Sequence, residues 1–192
     1  MPANDPSKNE ALEPAWVGEV LRFWFEELAE SNWFEKSDDL DALIRNRFLL
    51  LIEQLVVDGG LGVSTPRAML AAVLVLDQFS RNIFRGDPRA FAADPVARRI
   101  SRSAIAQGFD GAMTKEERLF LYLPFEHSED AGDQALALDL IKSLGRDDLT
   151  RYSLAHKEII DRFGRFPHRN DVLGRRSTAE EIEFLRGPMS SF

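Results

Sequence analysis

The chain contains no cysteine. That excludes disulfides, thiolate metal ligation and a cysteine nucleophile, and it fits a reducing compartment; the expected location is the cytoplasm. Histidine is scarce as well, with 3 residues in 192, and no pair has the His-x-x-x-His spacing. A single His beside acids, without thiolates, gives no reason to expect a metal or any other cofactor. Long apolar runs are missing: the longest, Ala68–Leu76, has nine residues, against the roughly 20 needed to span a bilayer. Residues 1–14 show no basic start and no apolar stretch, so no secretory signal is expected. Positive charge is in the minority, 24 Lys and Arg against 32 Asp and Glu, for a net charge of −8. Neither nucleic acid nor an anionic membrane is therefore an expected partner. Gly-x-Gly-x-x-Gly, Walker, Gly-x-Ser-x-Gly and His-Glu-x-x-His motifs are all absent.

What is present is material for helices. Hydrophobic residues make up 44% of the chain and 14 of them are Phe, enough for a sizeable core. After a frayed tail over 1–14, apolar residues recur at three and four: Val17, Val20, Leu21, Trp24 and Leu28. Ser37 can cap a second helix through Leu40, Ile44, Phe48 and Leu55, stopped by Gly59-Gly60. Thr65-Pro66 joins a capping hydroxyl to Pro at the first helical position. The helix it opens, Ala68–Leu76, is apolar all round and should be central and buried. Asp94-Pro95 repeats that signal. Thr114 with Glu117 forms a capping box, and Pro124 should end or kink the helix that follows. Asp130 or Asp133, then Asp147 or Asp148, can start two more helices. Ser177 with Glu180 gives a final capping box. No segment alternates long enough to form a strand. The fold class is all-α: about eight helices in antiparallel pairs or a short solenoid, a single domain over 15–192.

Four clusters carry chemistry. At the end of the buried helix, Asp77 and Arg81 continue the apolar stripe of Leu70, Val73 and Leu74, and their i,i+4 spacing allows them to pair; Gln78 and Asn82 lie beside them. Glu126, His127, Glu129 and Asp130 bring three carboxylates around one His after Pro124. His156 lies on the apolar side of its helix with Tyr152, Ile160 and Phe163, where a histidine commonly serves as a hydrogen-bonded core residue. Finally, Arg162–Arg176 holds five arginines and His168 against one acid, Asp171, so it is +4 within an acidic chain. Gly164 and Pro167 interrupt any helix there, and Arg165, His168, Arg169 and Asn170 are its candidate ligand-binding residues. Each cluster also has a purely structural explanation: internal ion pairs for the Asp77/Arg81 and arginine-rich clusters, the first turn of the next helix for the acids, and a core hydrogen bond for His156. One shared polar cleft, joining Glu129 or Asp130 with Arg81, Arg165, His168 and Arg169, accounts for all of them more economically.

These stretches carry a resemblance. Leu21–Phe25, Trp33-Phe34, Thr65-Pro66, Leu76–Asn82 with Arg85-Gly86, Ala90–Ala92 with Asp94, Phe120–Asp130, Arg162–Asn170, Leu173–Arg175 and Ser177-Thr178 resemble the bacterial domain of unknown function 924 family over nearly the whole chain after residue 15. Ser80 stands where many members have Pro. The resemblance implies a tetratricopeptide-like α-α superhelix and supplies no established activity, cofactor or catalytic residue. Three functions then compete. The first is a binding module for a small anionic ligand or peptide, with Arg81, Arg165 and Arg169 gripping the anion and Asn82 and Asn170 adding neutral hydrogen bonds. The second is an enzyme in which His127 or His168 moves protons, oriented by Glu129 or Asp130. The third is an assembly protein with internal bridges only. The oligomeric state is not fixed by any of these features.

Overall fold

The computed structural model describes residues 13–191, so the tail expected over 1–14 falls outside the described residues as far as residue 12. Its last part is tied down: the Glu13 carboxylate accepts hydrogen bonds from the Thr65 hydroxyl and from Arg67 Nε. The described residues contain helices and turns and no strand, in keeping with the all-α expectation.

Helix α1 (Ala15–Arg22) passes directly into a π-helical turn, Phe23–Glu27. Helix α2 (Asp38–Val57) is capped by the Ser37 hydroxyl, which accepts from the Leu40 N–H. Helix α3 (Pro66–Val73), capped by Thr65, widens into a second π-helical turn, Leu74–Phe79, and resumes as α4 (Ser80–Ile83). Every residue from Ala68 to Ser80 is buried, as an all-apolar helix demands. The rings of Phe23, Trp24 and Phe48 pack around Phe79, and Phe120 packs on Trp24, at centroid distances of 5.8 Å (Phe23–Phe79), 4.8 Å (Phe48–Phe79), 5.4 Å (Trp24–Phe79) and 5.3 Å (Trp24–Phe120). Tilted and edge-on pairs of this kind add about 0.5–1.5 kcal/mol each beyond the area they bury.

Short α5 (Arg89–Ala92) leads into α6 (Asp94–Ala106). The Asp94-Pro95 signal is corrected here. Pro95 does open the helix, but Asp94 makes no capping bond; it is buried and its carboxylate turns to Arg81 instead. Helix α7 (Lys115–Glu126) begins at the expected Thr114–Glu117 capping box. It does not end at Pro124 but continues through it. The proline removes one backbone hydrogen bond, while Leu121, Leu123 and Phe125 around it are buried, and that burial outweighs the loss. The helix therefore runs to Glu126, two residues past Pro124, with His127 at its C-cap position.

Asp130 caps α8 (Ala131–Lys142) by accepting from the Asp133 N–H. Helix α9 (Asp147–Phe163) has Arg146 at its cap position, so Asp147 and Asp148 act on the helix dipole from the first turn rather than as caps. Gly164, at φ 66°, turns the chain out of α9 in the left-handed conformation that glycine adopts without strain. A 3₁₀ turn, Pro167–Arg169, follows. The last helix, α10 (Ala179–Phe184), starts at a Thr178–Glu181 box, one residue later than the Ser177–Glu180 reading, because Ser177 is engaged by the Asn170 side chain. Consecutive helices α7, α8 and α9 pack side by side. The end of α7 lies against the widened turn that follows α3, and the segment after α9 reaches Phe91 of α5 and Asp94 of α6.

Candidate functional site

The site is built outward from Asp77, which lies in the π-helical turn and is fully buried. A widened turn displaces the backbone ladder by one residue, and such turns recur at functional sites. Here side chains take up the displaced carbonyls: the Ser80 hydroxyl donates to Leu76 O at 2.7 Å and Arg81 Nη1 donates to Asp77 O at 2.6 Å. The Asp77 carboxylate meets Arg81 Nη1 at 3.0 Å, Gln78 Nε2 at 2.6 Å and His127 Nδ1 at 2.9 and 3.0 Å. Burial opposes its charge, but Arg81 above all, with His127 and Gln78, outweighs burial and holds the carboxyl well below its usual range. Arg81 also forks onto Asp94, with both hydrogen bonds at 3.1 Å.

His127 closes the end of α7 and is 15% exposed. Burial lowers its pKa; Asp77 opposes that shift and Arg81 reinforces it. At neutral pH the imidazole is therefore uncharged, Nδ1–H donates to Asp77, and the lone pair resides on Nε2.

Arg169 comes from the 3₁₀ turn. Its side chain is only 8% exposed, held between the rings of Phe91 (4.6 Å) and Phe166 (4.5 Å). Among the described residues its nearest carboxylate oxygen, Asp94 Oδ2, is 3.8 Å from Nη1, beyond hydrogen-bond reach, and its buried Nε has no hydrogen-bond partner. Burial, then the Arg81 charge, lowers the Arg169 pKa to about 10, while Asp94, Glu129 and Asp77 support it. It remains a cation at neutral pH.

The segment that carries Arg169 is strapped down by Glu129. That carboxylate accepts from the Phe166 N–H at 2.8 Å and from Arg175 at 2.7 and 2.9 Å. Asn170 in turn holds Arg175 Nε at 2.9 Å. Behind the strap lie the other two histidines. His156 Nδ1 is 2.9 Å from Tyr152 O and 3.5 Å from Glu126 Oε1. Burial pushes Glu126 up to about 7, against the Ser153 hydroxyl and assisted by the Asp77 charge, and among the described residues its buried Oε2 has no hydrogen-bond partner. Burial takes His156 down to about 3 and, with the Arg169 charge, His168 down to about 4. The rings connect the parts: His127 to His156 at 6.2 Å, His156 to Phe166 at 5.7 Å, Phe166 to His168 at 5.5 Å.

The structure thus brings together Asp77, Gln78, Arg81, Glu126, His127, Glu129, His156, His168, Arg169 and Asn170. Three candidates stand apart. Asn82 donates to Asp41 at 2.7 Å, beside the Arg85–Asp41 pair. Asp130 is the α8 cap. Arg165 forks onto Glu181 at 2.6 and 2.8 Å and donates to Arg176 O. Two members were missed as site residues, Asp94 and Arg175. Asp94-Pro95 is spelled like a cap, and Arg175 looked like one more arginine in a basic run; neither pattern reveals a partner far along the chain. Among the described residues no three of His, Asp and Glu are grouped so as to hold a metal ion, and no helix is long and apolar enough to cross a membrane.

The family described as a bacterial protein of unknown function, DUF924, matches residues 20–189, a span that includes the whole cluster. Among solved structures, a protein of unknown function, ATU0120 from Agrobacterium tumefaciens, is similar at 37% identity and a TM-score of 0.85, over 90% of this chain and 98% of that one. No curated protein matches at a significant level.

Proposed function

The chain belongs to the bacterial protein family of unknown function DUF924, and we propose that its buried polar cluster binds a small anion with Arg169 as the anchor. One observation carries this reading: a guanidinium buried between two phenyl rings whose side chain lacks a close carboxylate partner. Burying a cation costs several kcal/mol unless hydrogen bonds compensate. The neighbouring arginines have that compensation, Arg81 from Asp77 and Asp94, Arg175 from Glu129. Arg169 has two apolar faces and unspent donors along its edge. Such an edge suits a carboxylate or phosphate, which a guanidinium fork binds bidentately. The phenyl rings fix the plane of the fork in advance, which lowers the ordering cost of binding.

The test is thermal unfolding with phosphate, sulfate and citrate. A ligand that binds only the folded state raises Tm by mass action. The expected result is a rise that disappears in Arg169→Met, is weakened in Arg169→Lys, and persists in Arg165→Ala, since Arg165 is committed to Glu181. An equal response in wild type and Arg169→Met would instead favour a network of internal bridges.

A further inference from the structure

We propose that His127 is the proton acceptor for a reaction on a small anionic substrate whose charged group sits on Arg169, with Asp77 positioning the imidazole. The inference rests on the anion reading and adds a reaction to it.

The argument begins with the His127 ring. Its Nδ1 is committed to a carboxylate that is itself held by Arg81 and Gln78, so neither the ring plane nor the tautomer is left to chance. With Nδ1–H donating, Nε2 carries the lone pair. The remaining exposure of the side chain belongs to a residue at a helix end rather than inside a packed layer. A structural histidine in a core normally satisfies both nitrogens. Here one nitrogen is over-provided, with both Asp77 oxygens in range, and among the described residues no hydrogen bond is formed at Nε2.

The second part is proximity to the anchor. Two independent contact paths join His127 to Arg169. One runs through Asp77, Arg81 and Asp94 by ion pairs. The other runs through the rings of His156 and Phe166. Both paths are short chains of direct contacts, so the base and the anchor belong to one polar cluster. Holding a substrate by its charged end while a base meets its other end converts a two-body proton transfer into a local one.

The step is a proton transfer. An X–H bond of the substrate, or of a water molecule beside it, breaks. Its electron pair stays on X, and the proton forms Nε2–H. The imidazolium so produced faces the Asp77 carboxylate, which compensates its charge. The groups that bear on this titration are Asp77, Gln78 and Arg81 from the central helix, Asp94 from α6, Glu126 from α7, His156 from α9 and His168 from the 3₁₀ turn.

The test uses the full chain and two para-nitrophenyl esters, the anionic hydrogen succinate and the neutral acetate. His127 takes the proton of water as the water oxygen attacks the ester carbonyl, and the nitrophenolate leaves with the C–O bonding pair. The expected result is hydrolysis of the anionic ester on the order of 10²-fold faster or more in wild type than in His127→Gln, the usual worth of a general base. Inorganic phosphate should compete, and the neutral ester should gain little. In Asp77→Asn, which keeps the shape of the carboxylate, the rate should fall and the midpoint of the pH–rate profile should move down, because the counter-charge is gone; a purely structural Asp77 would not move that midpoint. Equal rates in wild type and His127→Gln, with both proteins shown folded by near-ultraviolet circular dichroism, overturn the proposal. So does equal acceleration of both esters. If phosphate raises Tm yet no His127-dependent rate exists, the base fails alone and the anchor stands. If phosphate has no effect on Tm, the anchor fails and takes this inference with it.

Discussion

Asp77 Oδ1 lies 2.9 Å from Nδ1 of His127, a residue fifty positions further along the chain. The contact joins the widened turn of the most buried helix to the end of α7. It makes one carboxylate serve both an ion pair and an imidazole, and the stability of the site depends on it.

Asp77→Ala should therefore be costly. It leaves Arg81 with Asp94 alone and removes the His127 acceptor, and breaking a buried pair from one side costs about 3–5 kcal/mol. The urea midpoint should fall accordingly, with Asp77→Asn losing less. Because the folded-state pKa of Asp77 is depressed, its contribution is present above the unfolded carboxyl value and is lost as pH falls through the folded one.

Glu126 should have the opposite sign. Its pKa is raised from 4.5 to about 7. The stability associated with its proton is complete below the unfolded value and disappears as pH rises through the folded one. At about pH 8 the ionised form costs about 3 kcal/mol by linkage. Glu126→Gln should raise the urea midpoint at about pH 8 and leave it nearly unchanged at about pH 4.

His156 and His168 should dominate the first phase of acid unfolding. Both are held neutral by burial, with pKa values lowered to about 3 and about 4. Below the ordinary histidine value of 6.5 the unfolded chain takes up protons that the folded chain refuses, so stability falls from there downward. Unfolding free energy measured against pH should show a flatter slope in His156→Gln than in wild type over that interval.

Glu129→Ala should release the strap. The Phe166 N–H and Arg175 lose their acceptor together, while α7 and α8 keep their own hydrogen bonds. Hydrogen exchange should speed up across Phe166–Arg175 with little change in α8. Phosphate should also bind more weakly, because the Phe166 ring no longer holds Arg169 in plane. Unchanged exchange in that stretch would show that the strap is not what orders it.

The sequence by itself determined the helices. Thr65-Pro66, Thr114 with Glu117, and Gly164 act within one turn of the chain, so their chemistry is complete in a short window of residues. It also determined that Ala68–Leu76 is central, since an all-apolar helix has nowhere else to go, and that the polar residues continuing its stripe must be paired. Where local signals compete, as at Pro124 inside α7 or Ser177 beside Thr178, the choice depended on burial and on a partner elsewhere. The tertiary structure alone decided who meets whom. His127 is oriented by Asp77 and not by its sequence neighbours Glu129 and Asp130, because α7 turns its end toward the widened turn while Asp130 is taken by the α8 cap. Arg165 and Arg169 are one helical turn apart, yet the 3₁₀ turn sends the first to Glu181 and the second between Phe91 and Phe166. Charge and residue type are local properties of a sequence; a partner dozens of residues away is chosen only when helices pack, because packing sets which side chains come within hydrogen-bond distance.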